Sequence, residues 1–320
     1  MNLIQKIKDT NLPYIIAEVG SNYKSIEDLL KSIELAKLAG ADAVKFQYFT
    51  PRDLYGPFEA DVHYSDMIPV ENLKAYSSQV GIDFLCSAFS PESVKLLDPL
   101  VSAHKIASSE MSHIRLLEAV KETKKPLILS TGGHHIGSIN QAVEFMGEDY
   151  PLILMHCNLK YPTKYVDLKK LDAVANFKGL VGYSDHTTSI DAVPVFMTKV
   201  VGVRVYEKHF NPFDYADTPD APHSLSLKEF QVMCSLLKET KVIDYTEENE
   251  GRLMHIRRII ATKDLKAGDE LKEGVNMGIY RSKRVDDKGM SPFTIGKFEG
   301  KKLKRDVSLG EGLSLNDIDF

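Results

Sequence analysis

The sequence has few cysteines, which limits the redox and metal chemistry open to the protein. Its 320 residues include only Cys86, Cys157 and Cys234. Because three cysteines at wide spacings form neither a disulfide framework nor a CxxC metal site, they support neither kind of chemistry. Redox activity is therefore not expected.

Long apolar runs are absent as well. No segment reaches the roughly 20 consecutive apolar residues that cross a bilayer. The first residues, MNLIQKIKDTN, also lack the apolar core of a signal peptide. The sequence therefore predicts a cytoplasmic protein with no membrane partner.

The chain also has no excess of positively charged residues. The chain has 40 Lys and Arg residues against 45 Asp and Glu residues, a formal net charge of −5. Such a chain offers no overall attraction to a polyanion, so nucleic acid is not expected as a partner. Hydrophobic residues make up 43% and charged residues 27%, a composition that excludes a disordered or fibrous chain.

What the sequence does contain is a regular alternation of short β-rich runs with longer segments of helical periodicity. The clearest helix is predicted over about 26–39, where apolar residues recur every three or four positions. Ser25 with Asp28 predicts a capping box at its start, and Gly40 predicts its end. The predicted strands cover residues 14–18, 41–47, 83–87, 104–107, 126–130, 152–156, 180–183 and 204–207.

Eight strand–helix units in about 240 residues match the size of a (β/α)8 TIM barrel, an α/β fold. An open, doubly wound sheet uses the same alternation and is the alternative, but the count and the length favour the barrel. After the last helical segment the chain becomes charged over 246–251 and then continues as short β-rich pieces broken by glycine. We predict a barrel over 1–245, a linker over 246–257 and a small β-rich domain over 258–320. A domain of that size gains stability by docking on another surface.

Polar side chains stand at or just after the C-terminal ends of all eight predicted strands. In a barrel these ends converge on one face, which is where the active sites of this fold lie. Residues far apart in the sequence are therefore expected to form one polar cluster. They are Glu18, Lys45, Gln47, Ser87, Lys105, Ser108, Ser130, Thr131, His156, Ser184, Asp185, His186, Glu207, Lys208 and His209.

Two of these residues, His186 and His209, follow the adjacent seventh and eighth strands and are candidate ligands of a divalent metal. Two protein ligands leave coordination positions open for water and a substrate oxygen, and imidazole suits Mn²⁺, Zn²⁺ or Fe²⁺ better than Mg²⁺. The alternative is that each is an isolated, hydrogen-bonded histidine. Their paired placement at strand ends favours ligation.

The charged residues at the strand ends allow two interpretations. Lys45 and Lys105 either bind an anion such as a phosphate or carboxylate, or form structural ion pairs with Glu18 or Glu207. Glu18, Glu110 and Glu207 are candidates either for general acid/base catalysis or for holding a lysine in place. The residue types alone leave both questions open.

The strand-end motifs resemble, in order along the chain, those of the sialic acid synthases, which condense phosphoenolpyruvate with an amino-sugar aldose. Each motif is weak alone, but the ordered set is highly specific and spans nearly the whole chain. The tail resembles the antifreeze-like (SAF) domain of that family, a β-clip module. The barrel motifs are IAEVGSN (16–22), GADAVKFQ (40–47), FSPE (89–92), KIAS (105–108), LSTG (129–132), HC (156–157) with YP (161–162), GYSDHT (182–187) and EKHF (207–210); those of the tail are ATKDLKAG (261–268), GMSP (289–292) and GKK (300–302).

The resemblance implies a metal-dependent transferase that forms a carbon–carbon bond and releases phosphate. It implies that His186 and His209 hold Mn²⁺ or another divalent ion such as Mg²⁺ or Co²⁺. It also implies a domain-swapped homodimer, in which the small domain caps the barrel of the partner and offers Arg281 to the acyl-amino group of the acceptor. The remaining implied roles are binding of phosphoenolpyruvate by Lys45, Gln47, Lys105, Ser108 and Ser184, acceptor contacts and proton transfer by Glu18, Glu110 and Glu207, substrate binding by Tyr161, and binding of sugar or metal-bound water by Asp220.

The sequence departs from the family pattern at positions that bear on the acceptor. Leu159 stands where an asparagine is usual, and Ala221 stands where many members have a histidine after Asp220. The segment 50–70 is shorter than usual, and residues 282–288 replace a compact Pro-Gly turn. The acceptors that remain open are N-acetylmannosamine, the diacetamido hexoses that lead to legionaminic or pseudaminic acid, and a related sugar for surface polysaccharide.

Two further functions are alternatives. A relative that takes a phosphorylated aldose needs further Arg or Lys residues near the barrel mouth, and the sequence shows no clear second phosphate site. A catalytically inactive, carbohydrate-binding barrel is expected to have lost one of its central residues. Lys45, His186, Glu207 and His209 are all present, which favours the enzyme.

Overall fold

The computed structural model describes residues 3–56, 69–177, 179–239, 256–281 and 289–319. The chain divides into two compact units, Met1–Glu239 and Thr240–Phe320. The predicted linker over 246–257 lies almost wholly outside the described residues, as do residues 57–68 of the segment 50–70 and residues 282–288.

Eight parallel strands in chain order form a closed barrel in the first unit. The last strand pairs with the first, with Glu18 opposite His209, and this pairing closes the cylinder. The predicted TIM barrel is thereby confirmed, and the open sheet is excluded. The strands are β1 Tyr14–Glu18, β2 Ala43–Tyr48, β3 Asp83–Ala88, β4 His104–Ile106, β5 Leu127–Ser130, β6 Leu152–His156, β7 Leu180–Asp185 and β8 Val205–His209.

Helices follow the strands and form the outer layer. The second helix shows the predicted boundaries, because the Ser25 hydroxyl accepts a hydrogen bond from the backbone N–H of Asp28 and Gly40 adopts a left-handed conformation with φ of 93°. The helix after β7 ends in a wide π-type turn over Phe196–Val201. The helices are α1 Leu3–Lys8, α2 Ile26–Ala39, α3 Pro51–Tyr55, α4 Val70–Val80, α5 Pro91–Leu97, α6 Ile114–Thr123, α7 Ile136–Met146, α8 Leu168–Ala175, α9 Ala192–Val195 and α10 Leu227–Lys238.

Side-chain alternation along each strand separates two apolar clusters. Ile15 and Ala17 of β1 belong to the large cluster between strands and helices, whereas Ile16 belongs to a smaller cluster inside the barrel. Leu3 and Ile7 of α1 pack into this inner cluster with residues from the starts of the strands, and burial of each such side chain is worth about 1.5–3 kcal/mol. Alternation then places Glu18 in the barrel interior at the opposite, C-terminal end.

The second unit is β-rich, as predicted. Strand β9, Arg257–Ala261, pairs antiparallel with β10, Met277–Arg281. Around them lies a separate apolar core that contains Leu271, Phe298 and Leu313. The assignment of this unit as a SAF domain stays a prediction.

None of the helices that the structure describes is both long enough and apolar enough to span a membrane.

Candidate active site

A cavity of about 190 Å³ lies among the C-terminal ends of the barrel strands. Most of the polar residues predicted from the strand ends line it, so these residues form one polar cluster at the C-terminal face of the barrel. The lining residues are Glu18, Lys45, Gln47, Ser87, Phe89, Lys105, Ala107, Ser108, Ser109, Ser130, Cys157, Tyr161, Ser184, His186, Glu207 and His209.

Strand register explains why these side chains meet. Glu18 is paired with Lys45 across β1 and β2, and Ser184 is paired with Glu207 across β7 and β8. Residues paired in a parallel sheet point to the same face, which here is the barrel interior. Residues that are far apart in the sequence are therefore close together in the barrel.

Lys45 lies between two carboxylates. Its ammonium contacts Glu18, lies 3.7 Å from the Glu207 carboxylate and donates a hydrogen bond to Ser87 Oγ at 3.2 Å. Burial disfavours the charged ammonium, but the charges of Glu18 and Glu207 outweigh that effect and raise the pKa of Lys45. Lys45 is therefore a fixed positive charge.

Lys105 is the less firmly paired of the two lysines. Its Nζ lies 3.9 Å from Glu207 Oε1 and donates a hydrogen bond to Ser130 Oγ at 3.0 Å. Burial lowers the pKa of Lys105, and the charge of Glu207 only partly opposes this. An added anion would strengthen the positive charge of this side chain.

The two carboxylates differ in their proton affinity. Burial raises the pKa of Glu18, and although Lys45 opposes this effect, the charge of Glu207 adds to it. For Glu207, burial is outweighed by Lys105 and Lys45, which lower the pKa to about 2. Glu207 is therefore the stable anion, and Glu18 is the carboxyl group that can hold a proton.

His186 and His209 are close together, as the sequence predicted. Their ring centroids are 5.6 Å apart, and His186 Nδ1 lies 2.6 Å from the backbone oxygen of Asn158. Because that oxygen only accepts, Nδ1 carries the proton and Nε2 is left as a lone-pair donor. Burial lowers the pKa of His186 to about 4 and that of His209 to about 3, so both rings are neutral, the form that binds metals.

Asp220 contacts His209 and a histidine that the sequence analysis did not identify. His209 Nδ1 lies 3.6 Å from Asp220 Oδ2, and His223 Nε2 lies 3.4 Å from Asp220 Oδ1. The backbone N–H of Ser21 donates to Oδ2 at 2.7 Å. Although burial opposes ionisation, His209, His223 and this N–H hold the pKa of Asp220 well below its usual range.

His223 was missed because it lies in a turn, Ala221–His223, and not at the end of a strand. The available signal was its spacing of three residues from Asp220, which places both side chains on one side of a single helical turn. The ring centroids of His209 and His223 are only 4.4 Å apart. An imidazole is therefore present near Asp220 even though position 221 is alanine.

Of the residues with predicted roles, Glu110, Asp220 and Arg281 are not among those that line the cavity, and of the strand-end residues Thr131, His156, Asp185 and Lys208 are not. Glu110 ends the short turn Ser108–Glu110 next to the lining residues Ser108 and Ser109, and burial raises its pKa. Arg281 is the last residue of β10 in the second unit. Their predicted roles stay predictions. Tyr161 does line the cavity, and its ring centroid lies 4.1 Å from that of His186.

Comparison with known proteins gives a consistent result. The model of the NeuB family matches residues 32–248. The chain is 30% identical to the pseudaminic acid synthase of Campylobacter jejuni, over 95% of this chain and 96% of that protein. It is 29% identical to the N,N'-diacetyllegionaminic acid synthase of the same organism, over 93% and 98%.

Among solved structures, an N-acetylneuraminic acid synthetase of Leptospira borgpetersenii, determined in complex with citrate, matches with a TM-score of 0.64. It is 26% identical and covers 76% of this chain and 92% of that one. The likeness therefore extends over the greater part of the chain.

Proposed function

The chain belongs to the NeuB family, and from that premise we propose that it is a nonulosonic acid synthase. The reaction condenses phosphoenolpyruvate with an N-acyl amino-sugar aldose and releases phosphate. The observation that carries this proposal is the cavity at the barrel mouth, where two buried lysines, two buried glutamates and two neutral histidines meet.

The lysines and hydroxyl groups of the cavity suit phosphoenolpyruvate. The substrate is negatively charged at both its phosphate and its carboxylate, and it needs ammonium groups and hydroxyl donors in a site shielded from water. Lys45, Lys105, Ser108 and Ser184 all line the cavity. Lys105, which is held only loosely by Glu207, is the ammonium that is most available to the anion.

Charge balance assigns the proton carrier. Glu18 and Glu207 offset Lys45 and Lys105, so a trianionic substrate brings more negative charge into the buried site than one divalent cation offsets. That charge favours a proton on the carboxyl group whose pKa is already raised, which is Glu18. Glu207 stays ionised and holds both lysines in the cavity.

His186 and His209 fit a divalent cation. Both rings are buried and neutral, and Nε2 of His186 is left as a lone-pair donor because its Nδ1 donates to the backbone oxygen of Asn158. A cation held there supplies Lewis-acid polarisation of the acceptor carbonyl. Mn²⁺ and Co²⁺ suit imidazole donors, and Mg²⁺ suits them less well.

The methylene carbon of phosphoenolpyruvate forms a bond with the aldehyde carbon of the acceptor, and Glu18 gives its proton to the oxygen that was the aldehyde. Water adds at the substrate carbon that bears the phosphate and releases one proton. The C–O bond to phosphate then breaks, the remaining hydroxyl proton goes to the departing phosphate, and a ketone is left at that carbon. The released water proton returns Glu18 to its protonated form.

The same proposal includes a domain-swapped homodimer, in which the second unit covers the barrel mouth of a partner. Arg281 then meets the acyl-amino group of the acceptor. Support for this comes from the family resemblance of the tail and from the small size of the unit, which gains stability by docking.

The test is a reaction of the purified full chain with Mn²⁺, phosphoenolpyruvate and a panel of aldoses. The panel contains N-acetylmannosamine, its 6-phosphate and two diacetamido hexoses. We expect phosphate release only with an acceptor, and a product whose mass is that of the aldose plus a pyruvate unit. Phosphate release without such a product, or preference for the phosphorylated aldose, would overturn the proposal.

A further inference from the structure

A third imidazole and a carboxylate adjoin the two histidines already discussed. His209, Asp220 and His223 each offer a donor atom, and these atoms all lie within 4.8 Å of one another. His209 and His223 are buried, and Asp220 is about one-fifth exposed at its side chain. The cluster thus has two sheltered imidazoles and one carboxylate with access to solvent.

The distances within the cluster are longer than those of ordinary hydrogen bonds. The nitrogen–oxygen separations are 3.6 Å for His209 and 3.4 Å for His223, whereas N–H···O bonds have separations of about 2.7–3.2 Å. Among the residues described, neither His209 Nδ1 nor His223 Nε2 has a hydrogen-bond partner. Two buried ring nitrogens therefore face the same carboxylate without bonding to it.

The same distances suit ligands of one cation. Nitrogen and oxygen donors lie about 2.0–2.2 Å from a transition metal, so two tetrahedral ligands of the same ion are separated by about 3.4 Å. The observed separations are close to that spacing, with His223 Nε2 3.4 Å from Oδ1 and His209 Nδ1 3.6 Å from Oδ2 of the one carboxylate. A cation would also satisfy both unpartnered nitrogens.

The backbone after β1 makes room for this cluster and fixes the carboxylate. Gly20 has a φ of 55°, and a Cβ atom there would lie 2.2 Å from Asp220 Oδ2 and 3.2 Å from His209 Nδ1. Ser21 holds Asp220 from both sides, because its N–H donates to Oδ2 and its hydroxyl accepts from the Asp220 N–H at 3.0 Å. Asp220 is therefore oriented before any ligand arrives.

We propose that His223 and Asp220 are metal ligands that complete a cation site with His209. This inference rests on the proposed function only in sharing His209. Two imidazoles with one carboxylate leave coordination positions open and suit Zn²⁺, Fe²⁺, Co²⁺ or Mn²⁺ over Mg²⁺. His186 is the neighbour across the cavity, with its ring centroid 6.0 Å from that of His223.

The competing interpretation gives Asp220 and His223 a structural role. In that case Asp220 only orients His209, and His223 only packs against it and Tyr161. The two interpretations differ in the number of protein donors on the ion, which the visible absorption of bound Co²⁺ reports directly.

The experiment uses the full chain, stripped of metal with a chelator and then titrated with Co²⁺. Calorimetry gives the affinity, and the visible spectrum reports the ligand set. We expect His223→Gln to weaken Co²⁺ binding at least about tenfold and to change the spectrum. The matched control is His135→Gln, because His135 is exposed at the start of α7 and makes no capping bond there; it should bind like the wild type.

Wild-type affinity and spectrum in a folded His223→Gln variant would overturn the inference. Circular dichroism of the metal-free proteins checks folding, and His223→Asn replaces the first variant if that one does not fold. If His209→Gln alters the spectrum and both His223 variants do not, the inference fails while the metal site of the proposed function stands. Turnover of phosphoenolpyruvate, measured separately, tests that function.

Discussion

Lys208 and Asp185 form a fully buried ion pair, with 3.0 Å between Nζ and Oδ2 and no solvent exposure of either side chain. Tyr206 also donates to Asp185 Oδ2, at 2.7 Å. Because Lys208 alternates with Glu207 along β8, it points away from the cavity that Glu207 lines. The pair therefore joins β7 and β8 on the helix side of the barrel.

Lys208→Met leaves Asp185 as a buried, uncompensated charge, so the free energy of unfolding should fall by about 3–5 kcal/mol. Urea unfolding followed by circular dichroism measures the loss. The double variant with Asp185→Asn should recover part of it, and a single variant as stable as the wild type would contradict the account.

Lys105 is predicted to act on phosphoenolpyruvate and not on the acceptor. Lys105→Met should raise KM for phosphoenolpyruvate by about ten- to hundredfold, because a hydrogen bond to a charged group contributes about 1.5–3 kcal/mol. KM for the aldose should change little. The control is Lys95→Met at an exposed position on α5, and equal effects on both substrates would argue against this role.

Glu18 is predicted to supply a proton, so the active form is the protonated acid. Since burial raises its pKa, activity should be present below that raised pKa and be lost as the pH rises through it. Glu18→Gln should lower kcat by about 10²–10⁴-fold and remove this alkaline limb from the pH–rate profile. A variant that keeps the limb would show that another group titrates there.

His156 is predicted to destabilise the fold in acid. It is fully buried, neither ring nitrogen has a partner in the described residues, and burial lowers its pKa to about 4. The unfolded chain takes up the proton near pH 6.5, so the stabilisation is complete above pH 6.5 and is lost as the pH falls towards 4. The loss between pH 6.5 and 5 is about 2 kcal/mol.

Unfolding free energies of the wild type and of His156→Phe at pH 7 and pH 5 test this prediction. The variant should show a difference between the two pH values that is smaller by about 2 kcal/mol, because phenylalanine cannot take up a proton. His135→Phe, at an exposed position, should retain the wild-type difference. Equal differences between pH 7 and pH 5 for the wild type and His156→Phe would show that His156 does not cause the loss of stability in acid.

Much of the barrel and many of the residues at its mouth could be predicted, because short-range sequence patterns indicate where strands and helices begin and end. Helix α2 begins and ends where Ser25 and Gly40 placed its boundaries. The residues at strand ends, such as Lys45 and Glu207, line one cavity, since the fold carries all strand ends to one face. The sequence resemblance to the sialic acid synthases agrees with the match to the NeuB family.

Other features could not be predicted from the sequence, because they depend on the side of a strand to which a side chain points or on the turn in which a residue lies. The sequence grouped Lys208 and Asp185 with the strand-end polar residues, but the two pair with each other on the helix side. Leu3 and Ile7 of α1 pack into the base of the barrel, although no strand–helix pattern includes that helix. His223 joins His209 from a turn that carries no periodic signal.

Local patterning in the sequence therefore determined the order of strands and helices and the identities of the groups at the strand ends, whereas the pairing of β8 with β1, which excludes the open sheet, appears only in the tertiary structure. Tertiary structure alone decided that Glu207 stays ionised while Glu18 can hold a proton, and that His209, Asp220 and His223 face one point. The physical reason is that these properties depend on distance and burial. Pairings such as Gly20 against Asp220 join chain segments about 200 residues apart, and no local pattern encodes them.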